Sequence, residues 1–336
     1  MVAVLVASAM SVDPSGTSAS GPRLAVAYVT GSATSAPAVW LARLDGGGAR
    51  RIGLGADPLL SPDGSLVAAS SARGLVLYSA SGGGSHRYFN TPAATARASA
   101  FSPDSRYLVV LLSSTDPGSA APSGLAVIDT ATFASRILVR DQIYGASFAP
   151  DGSERIAYAS AASLALRARI DIHVVGADGS GAKQITHDGR SLNPVWGPRG
   201  IAFDHERLRA QEEPAYQVWI TAGDGRERRQ LTHLRIPPLR EGLVPIAFSG
   251  TGALLLTEYV GEDTSQAWLL RMSSSRAAAL GANVVAAGLS HDGRDALVDR
   301  GGFLQVPNRG VVESLPVAGG RPRVLVAHGS EASWNA

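Results

Sequence analysis

The chain contains no cysteine. A disulfide framework, a thiolate nucleophile, a zinc–cysteine site and a lipid-acylated cysteine are therefore excluded for it. The lack of thiols is compatible with export, because a cysteine-free chain has nothing to misoxidise. No apolar stretch after the N-terminus approaches the ~20 residues of a membrane-spanning helix. Charge of one sign is also lacking: 30 Lys+Arg against 28 Asp+Glu give a net charge of +2. That balance predicts neither a nucleic-acid surface nor an acidic tail. The Gly-x-Ser-x-Gly elbow, the phosphate loop and the His-Glu-x-x-His motif are missing. No catalytic residue, metal or other cofactor is expected on these grounds.

What is present suits a β-rich domain. Hydrophobic residues make up 45% of the 336 positions, enough for a large core, and 38 glycines suit many short strands joined by tight turns. At the N-terminus Val2 to Ala7 is an apolar run, and Ala7-Ser8-Ala9 has the small-x-small form of a cleavage site. No Lys or Arg precedes that run. Ser11 to Gly21 reads as a linker rich in Ser, Gly and Pro. The expected organisation is a segment over 1–21, of export type or disordered, followed by one repeat domain over 22–336. A periplasmic or extracellular location is expected, with the cytoplasm as the alternative.

One signature recurs along that domain. It runs small or apolar residues, then a Ser-Pro-Asp-Gly-like turn, then a β-rich stretch. Clear copies are Leu59–Gly64, Ala100–Ser105 and Ser147–Gly152; Val195–Gly200, Ala247–Gly252 and Gly288–Gly293 are decayed ones. The last residues, Trp334-Asn335-Ala336, align with Trp196-Gly197-Pro198. Successive copies lie 41 to 52 residues apart, the length of four short strands, and the unit has β-branched and aromatic runs rather than helical spacing. This period predicts a β-propeller.

In the unit at Ser147, strand A ends at Pro150-Asp151-Gly152. Strand B is Arg155 to Ala159, C is Ile170 to Val175 and D is Lys183 to Thr186. The Asp178-Gly179 pair supplies the positive φ values of a C–D hairpin. Asp45-Gly46 and Asp224-Gly225 repeat that grammar. Near the N-terminus, Arg23 to Thr30, Ala38 to Leu44 and Arg50 to Leu54 read as B, C and D without an A strand. Glu331 to Ala336 reads as an A strand with nothing after it. Together they make one blade that closes the ring with strands from both ends, and closure removes exposed sheet edges. Seven blades are expected; six is the runner-up, because the unit from 249 to 290 is degenerate.

The Phe/Trp-Ser-Pro-Asp-Gly anchor, the Asp178-Gly179-Ser180-Gly181 turn and the segments Gln184-Ile185-Thr186 and Gln230-Leu231-Thr232 carry a resemblance to the TolB-like (WD40-like, PD40-type) propeller repeats. The resemblance covers about residues 22 to 336 and concerns the propeller domain only. It implies the fold and not an activity. The mixed α/β domain that precedes the propeller in TolB has no counterpart in this match, so a role in the Tol system is not carried over.

Strand order places the short A–B and C–D turns on one face and the longer B–C and D–A loops on the other. Binding is expected on the second face, at the mouth of the central channel. One loop there is charged, with Asp204, His205, Glu206, Arg207, Arg209, Glu212 and Glu213; Arg235, Arg240 and Glu241 lie in a neighbouring one. Their mixed signs suit a polar rim for a protein or glycan. His187, His233 and His328 each end a D strand, and repeat-equivalent imidazoles around a ring raise a metal site as a minor reading. Asp63, Asp104 and Asp151 are expected to brace their turns. Trp40, Trp219 and Trp268 share a strand-C position, where packing between blades is the default. The expected function is a non-catalytic, monomeric platform for a protein or cell-envelope polymer. The alternative is a carbohydrate lyase or hydrolase using the histidines.

Overall fold

The computed structural model describes residues 24–31, 37–90, 94–114, 123–161, 168–208, 214–237, 240–260, 264–273, 276–301 and 310–335. Among them are 28 strands and no helix. Seven antiparallel sets of four follow the order A to D. Blade I joins β28 (Ser330–Trp334) to β1 (Ala25–Thr30), β2 (Ala38–Arg43) and β3 (Arg50–Leu54). Blade II holds β4 (Ala56–Leu60), β5 (Leu66–Ser71), β6 (Gly74–Ser79) and β7 (Ser85–Tyr88), and blade III holds β8 (Ala94–Phe101), β9 (Tyr107–Ser114), β10 (Gly124–Asp129) and β11 (Ser135–Val139). Blade IV holds β12 (Gln142–Phe148), β13 (Arg155–Ala161), β14 (Asp171–Gly176) and β15 (Lys183–Gln184). Blade V follows with β16 (Ser191–Gly197), β17 (Gly200–Leu208), β18 (Pro214–Thr221) and β19 (Arg229–Gln230). Blade VI is β20 (Arg240–Phe248), β21 (Ala253–Val260), β22 (Ser265–Arg271) and β23 (Arg276–Ala282). Blade VII is β24 (Val284–Leu289), β25 (Asp295–Arg300), β26 (Val311–Pro316) and β27 (Arg323–Val326).

Each A strand packs on the A strands of its neighbours, from β4 on β8 round to β24 on β28 and β28 on β4. The A strands therefore line the centre and the D strands the periphery. Every A strand also carries a register shift, as at Asp57-Pro58 and Asn193-Pro194, where Asp57 and Asn193 adopt φ of 47° and 44°. The strand β28 is fastened by side chains on both flanks. Ser333 Oγ accepts the Leu60 N–H (2.9 Å) and Glu331 the Asp57 N–H (2.7 Å), while Asp299 accepts the Ala332 N–H (3.2 Å).

Apolar residues of adjoining blades fill the space between them. Ala157, Ile172 and Ile185 of blade IV meet Ile201 and Phe203 of blade V; the other face of blade V presents Ala202, Val218 and Ile220 to Leu243 and Leu254 of blade VI. This is the period-two alternation of a strand buried on both faces, each large side chain contributing about 1.5–3 kcal/mol.

The recurring turn is a hydrogen-bonded device. Ser61 Oγ donates to Asp63 (2.6 Å) and accepts the Leu66 N–H (2.9 Å), and Ser102 does the same with Asp104 (2.6 Å) and Tyr107 (2.9 Å). Asp151 accepts the Ser153 N–H (3.0 Å), so the three aspartates brace their turns as expected. Where other copies place glycine, Ser105 holds φ at 64°, and its Oγ repays the strain by accepting the Asp63 N–H of the preceding blade (3.0 Å).

The Gln-x-Thr segments end the D strands early. Thr186 Oγ accepts the Ile172 N–H (2.9 Å) and Thr232 Oγ the Val218 N–H (2.9 Å), replacing ladder carbonyls. Strand D of blade IV is therefore Lys183–Gln184 rather than reaching Thr186. The unit from 249 to 290 has all four strands despite its decayed sequence. The expectation of a charged loop from Asp204 is corrected: Asp204 to Leu208 extend β17, and their partners Pro214 to Val218 begin β18.

Candidate functional site

A cavity of about 740 Å³ opens on the B–C/D–A side of blade V. Its walls are the end of β17, the start of β18 and the D–A connection after β19. His205 and Arg207 share one face of β17 with Phe203, and their partners across β18 are Gln217, Ala215 and Trp219. That face looks toward blade IV. Gln217 fixes the outer wall: its Oε1 accepts Thr232 Oγ (2.8 Å) and its Nε2 donates to the Leu234 carbonyl (2.8 Å). This clamp positions His233, Leu234, Arg235 and Ile236 along the cavity.

Beneath the cavity lies an ionic core. Asp188, in the connection from blade IV, accepts from His205 Nε2 (2.9 Å) and from the Arg228 guanidinium. Arg228 in turn sits over the rings of Trp219 (5.0 Å) and Phe203 (5.5 Å), and the His205 and Trp219 rings are 5.0 Å apart. Burial would raise the Asp188 pKa, but hydrogen bonds from His205 and Arg228, with the charge of Arg228, hold it well below the usual carboxylate range. Because Nε2 faces the carboxylate, the Nδ1 of His205 is the nitrogen left for other partners.

Above that core the cavity is rich in donors. Arg190, Arg207 and Arg235 line it, and among the described residues their guanidinium groups have no hydrogen-bond or ion-pair partner. His233 adds an exposed imidazole. The indole of Trp219 differs from its repeat equivalents. Trp40 Nε1 donates to Thr30 (2.9 Å) and Trp268 Nε1 to Glu258 (3.0 Å), whereas Trp219 has His205 at that place and its N–H has no partner among the described residues. Among the described residues, the one carboxylate in the lining is Glu206.

The structure thus brings together five of the residues expected from the sequence: His205, Glu206, Arg207, His233 and Arg235. Arg209, with Glu212 and Glu213, lies outside the described residues. Arg240 sits apart, paired with Glu258 at 3.2 Å. His187 and His328 are exposed beyond the D strands of blades IV and VII and do not line the cavity. D strands lie at the periphery, so the three D-strand histidines are spread round the rim instead of facing the central mouth. No three His, Asp or Glu side chains among the described residues are placed to hold one metal ion.

Asp204, expected on the rim, is instead 2% exposed. Asn193 donates to its Oδ2 (3.2 Å) while Oδ1 has no partner, and burial pushes its pKa up to about 7 against the lowering effect of its own N–H and of Asn193. Sequence reasoning missed Asp188, Arg190 and Arg228 and assigned Trp219 to packing. The available signal was the Arg226–Arg229 run beside the second Gln-x-Thr segment.

No protein-family model and no curated protein matches this sequence. Solved structures do. TolB from Acinetobacter baumannii superposes with a TM-score of 0.59 and 14% identity over 95% of this chain and 68% of that one. The β-propeller domain of the Trilobed protease from Pyrococcus furiosus gives 0.64 and 12%, covering 92% and 96%. An oligogalacturonate lyase in complex with manganese gives 0.61 and 13%, covering 90% and 84%. At these identities the likeness establishes the fold, a TolB-like β-propeller, and leaves the ligand to the site itself.

Proposed function

We propose that this propeller is an exported, non-catalytic binding platform, and that the blade V cavity holds an acidic segment of a protein or cell-envelope polymer. One observation carries the reading: three guanidinium groups converge on a single cavity beside an indole N–H, and none of the four has a partner among the described residues. Several arginines elsewhere on the surface are neutralised by carboxylates, as in Arg43–Asp45, Arg155–Asp151 and Arg300–Glu313. A carboxylate bound by such a donor set gains about 1.5–3 kcal/mol for each charge-assisted hydrogen bond. Export rests on the N-terminal apolar run alone, which lies outside the described residues. Among the described residues no helix is long and apolar enough to cross a membrane.

The test is a titration of the full chain with fluorescent polygalacturonate and poly-glutamate. The variant R190Q/R207Q/R235Q should weaken binding of the preferred polymer at least tenfold with an unchanged thermal midpoint. Equal binding by the variant, or binding of neither polymer, sinks the reading.

A second reading has its own support in the Asp188–His205 pair. A carboxylate that orients an imidazole beside a cavity is the arrangement of a general base, and one structurally similar protein is an oligogalacturonate lyase. Under that reading polygalacturonate would be cleaved, and His205→Ala would abolish turnover while leaving binding in place.

A further inference from the structure

We propose that the groove in front of blade II is a second ligand site, and that it takes a single-chain amphiphile ending in a carboxylate. The groove has a volume of about 690 Å³, within the ~300–1,000 Å³ common for small-ligand sites. It occupies the same place in its repeat as the blade V cavity, between the incoming D–A connection, the end of strand B and strand D.

Its wall is apolar. Leu54, Pro37, Ala56 and Ala72 line it, and Leu54 is 46% exposed. A single exposed leucine on a surface is ordinary, but this one is held in a concavity. Tyr78 Oη donates to the Leu54 carbonyl (2.7 Å) and accepts the Leu54 N–H (3.1 Å), so the connection cannot turn the side chain inward.

Its rim is cationic. Arg73 and Arg87 flank the apolar wall, and among the described residues no carboxylate lines the groove and neither guanidinium has a partner. A neutral lipid would leave both guanidinium groups unanswered, and an acidic polymer would lay polar backbone against Leu54. An alkyl chain with a terminal carboxylate meets both walls: the chain removes Leu54 from water and the head group pairs with the arginines. This site is independent of the proposal for blade V.

The probe is dodecanoate, titrated calorimetrically into the full chain below its micelle-forming concentration. Saturable one-site binding is expected, weakened at least tenfold by R73Q/R87Q and by Leu54→Ser, and unchanged in R190Q/R207Q/R235Q. Dodecyl maltoside, with the same chain and a neutral head, should bind at least tenfold more weakly. All three substituted side chains are exposed, and a retained thermal midpoint in each variant shows that folding is intact. Absence of saturation, equal affinity in the variants, equal affinity for the neutral detergent, or displacement of dodecanoate by polygalacturonate would each overturn the assignment.

Discussion

Two grooves at one repeat position, before blade II and before blade V, show how a propeller varies its chemistry without changing its frame. Strand pairing fixes the equivalences. Ala69, Val76 and Arg87 lie across blade II where Phe203, Trp219 and Gln230 lie across blade V. Ser71 stands for His205, and Ser70 for Asp204. Counted back from the A strand, Leu54 stands for Arg190. Blade II closes its B–C turn directly after Ser71, whereas β17 runs on to Leu208. The connection into blade V is three residues longer than the one into blade II, and Asp188 lies in that added length. A small floor and a short turn leave an apolar groove; an aromatic floor and a longer connection build a charged one.

The aromatic floor should be the costliest element to remove. Phe203 is fully buried beneath Arg228 and among the blade IV side chains. Phe203→Ala should cost about 3–5 kcal/mol in urea unfolding, against about 1 kcal/mol for Ala69→Gly at the equivalent place. Equal costs would mean that the two floors do not differ in packing.

The next contrast is Asp204 against Ser70, since both keep a buried oxygen without a partner. Only the carboxylate titrates. Its folded pKa, pushed up to about 7 by burial, lies above an unfolded value of ~3.9, so the folded state favours the protonated form. The associated stability is full below pH ~4 and is lost as pH rises through 7, with an upper bound of about 4 kcal/mol. Asp204→Asn should therefore flatten the pH profile of stability relative to the unsubstituted chain, and Ser70→Ala should leave its shape alone. Parallel profiles for Asp204→Asn and the unsubstituted chain would show that Asp204 is already ionised in the fold.

These contrasts also mark how far the sequence could be read. Turn residues and apolar alternation are local, and they revealed the blades, the composite blade I and the bracing role of Asp63, Asp104 and Asp151. Even the decayed unit at 249 kept its turn, because Ser249 Oγ bonds Thr251 (2.9 Å) where other copies use aspartate. The candidate site was half legible. His205, Glu206, Arg207, His233 and Arg235 stood out as polar residues in an irregular stretch, but β17 and β18 carry that stretch as a hairpin. Asp188 and Arg228 escaped because their meaning arises between blades: they are 40 residues apart in the chain and share one ion pair. No local pattern separates such a pair from two solvated charges.

Charge at the equivalent positions Arg190 and Leu54 should separate the two ligands. Arg190→Glu should weaken acidic-polymer binding about 10- to 100-fold, or ~1.4–2.7 kcal/mol, and leave dodecanoate binding unchanged. Raising the salt from 0.05 to 0.5 M should likewise weaken the polymer far more than the amphiphile, because several exposed charges are screened at once. A matching loss for both ligands would merge the two grooves into one site.

The smallest effect expected, and the most discriminating, is that of Asp188→Asn. Asp188 ties His205 and Arg228 to the connection from blade IV, and Arg228 Nε has no partner already. Loss of the carboxylate should cost about 1–2 kcal/mol at neutral pH. Because the folded pKa of Asp188 is depressed, its contribution is present above the unfolded value of ~3.9 and fades as pH falls below it. The gap between variant and unsubstituted chain should therefore close in acid, opposite in sense to Asp204→Asn. Acidic-polymer affinity should move the other way from stability. Removing one negative charge beneath Arg190, Arg207 and Arg235 leaves the cavity more positive, so polymer should bind a few-fold tighter at low salt. Weaker binding together with weaker folding would instead assign Asp188 to holding the cavity's shape, with its charge secondary.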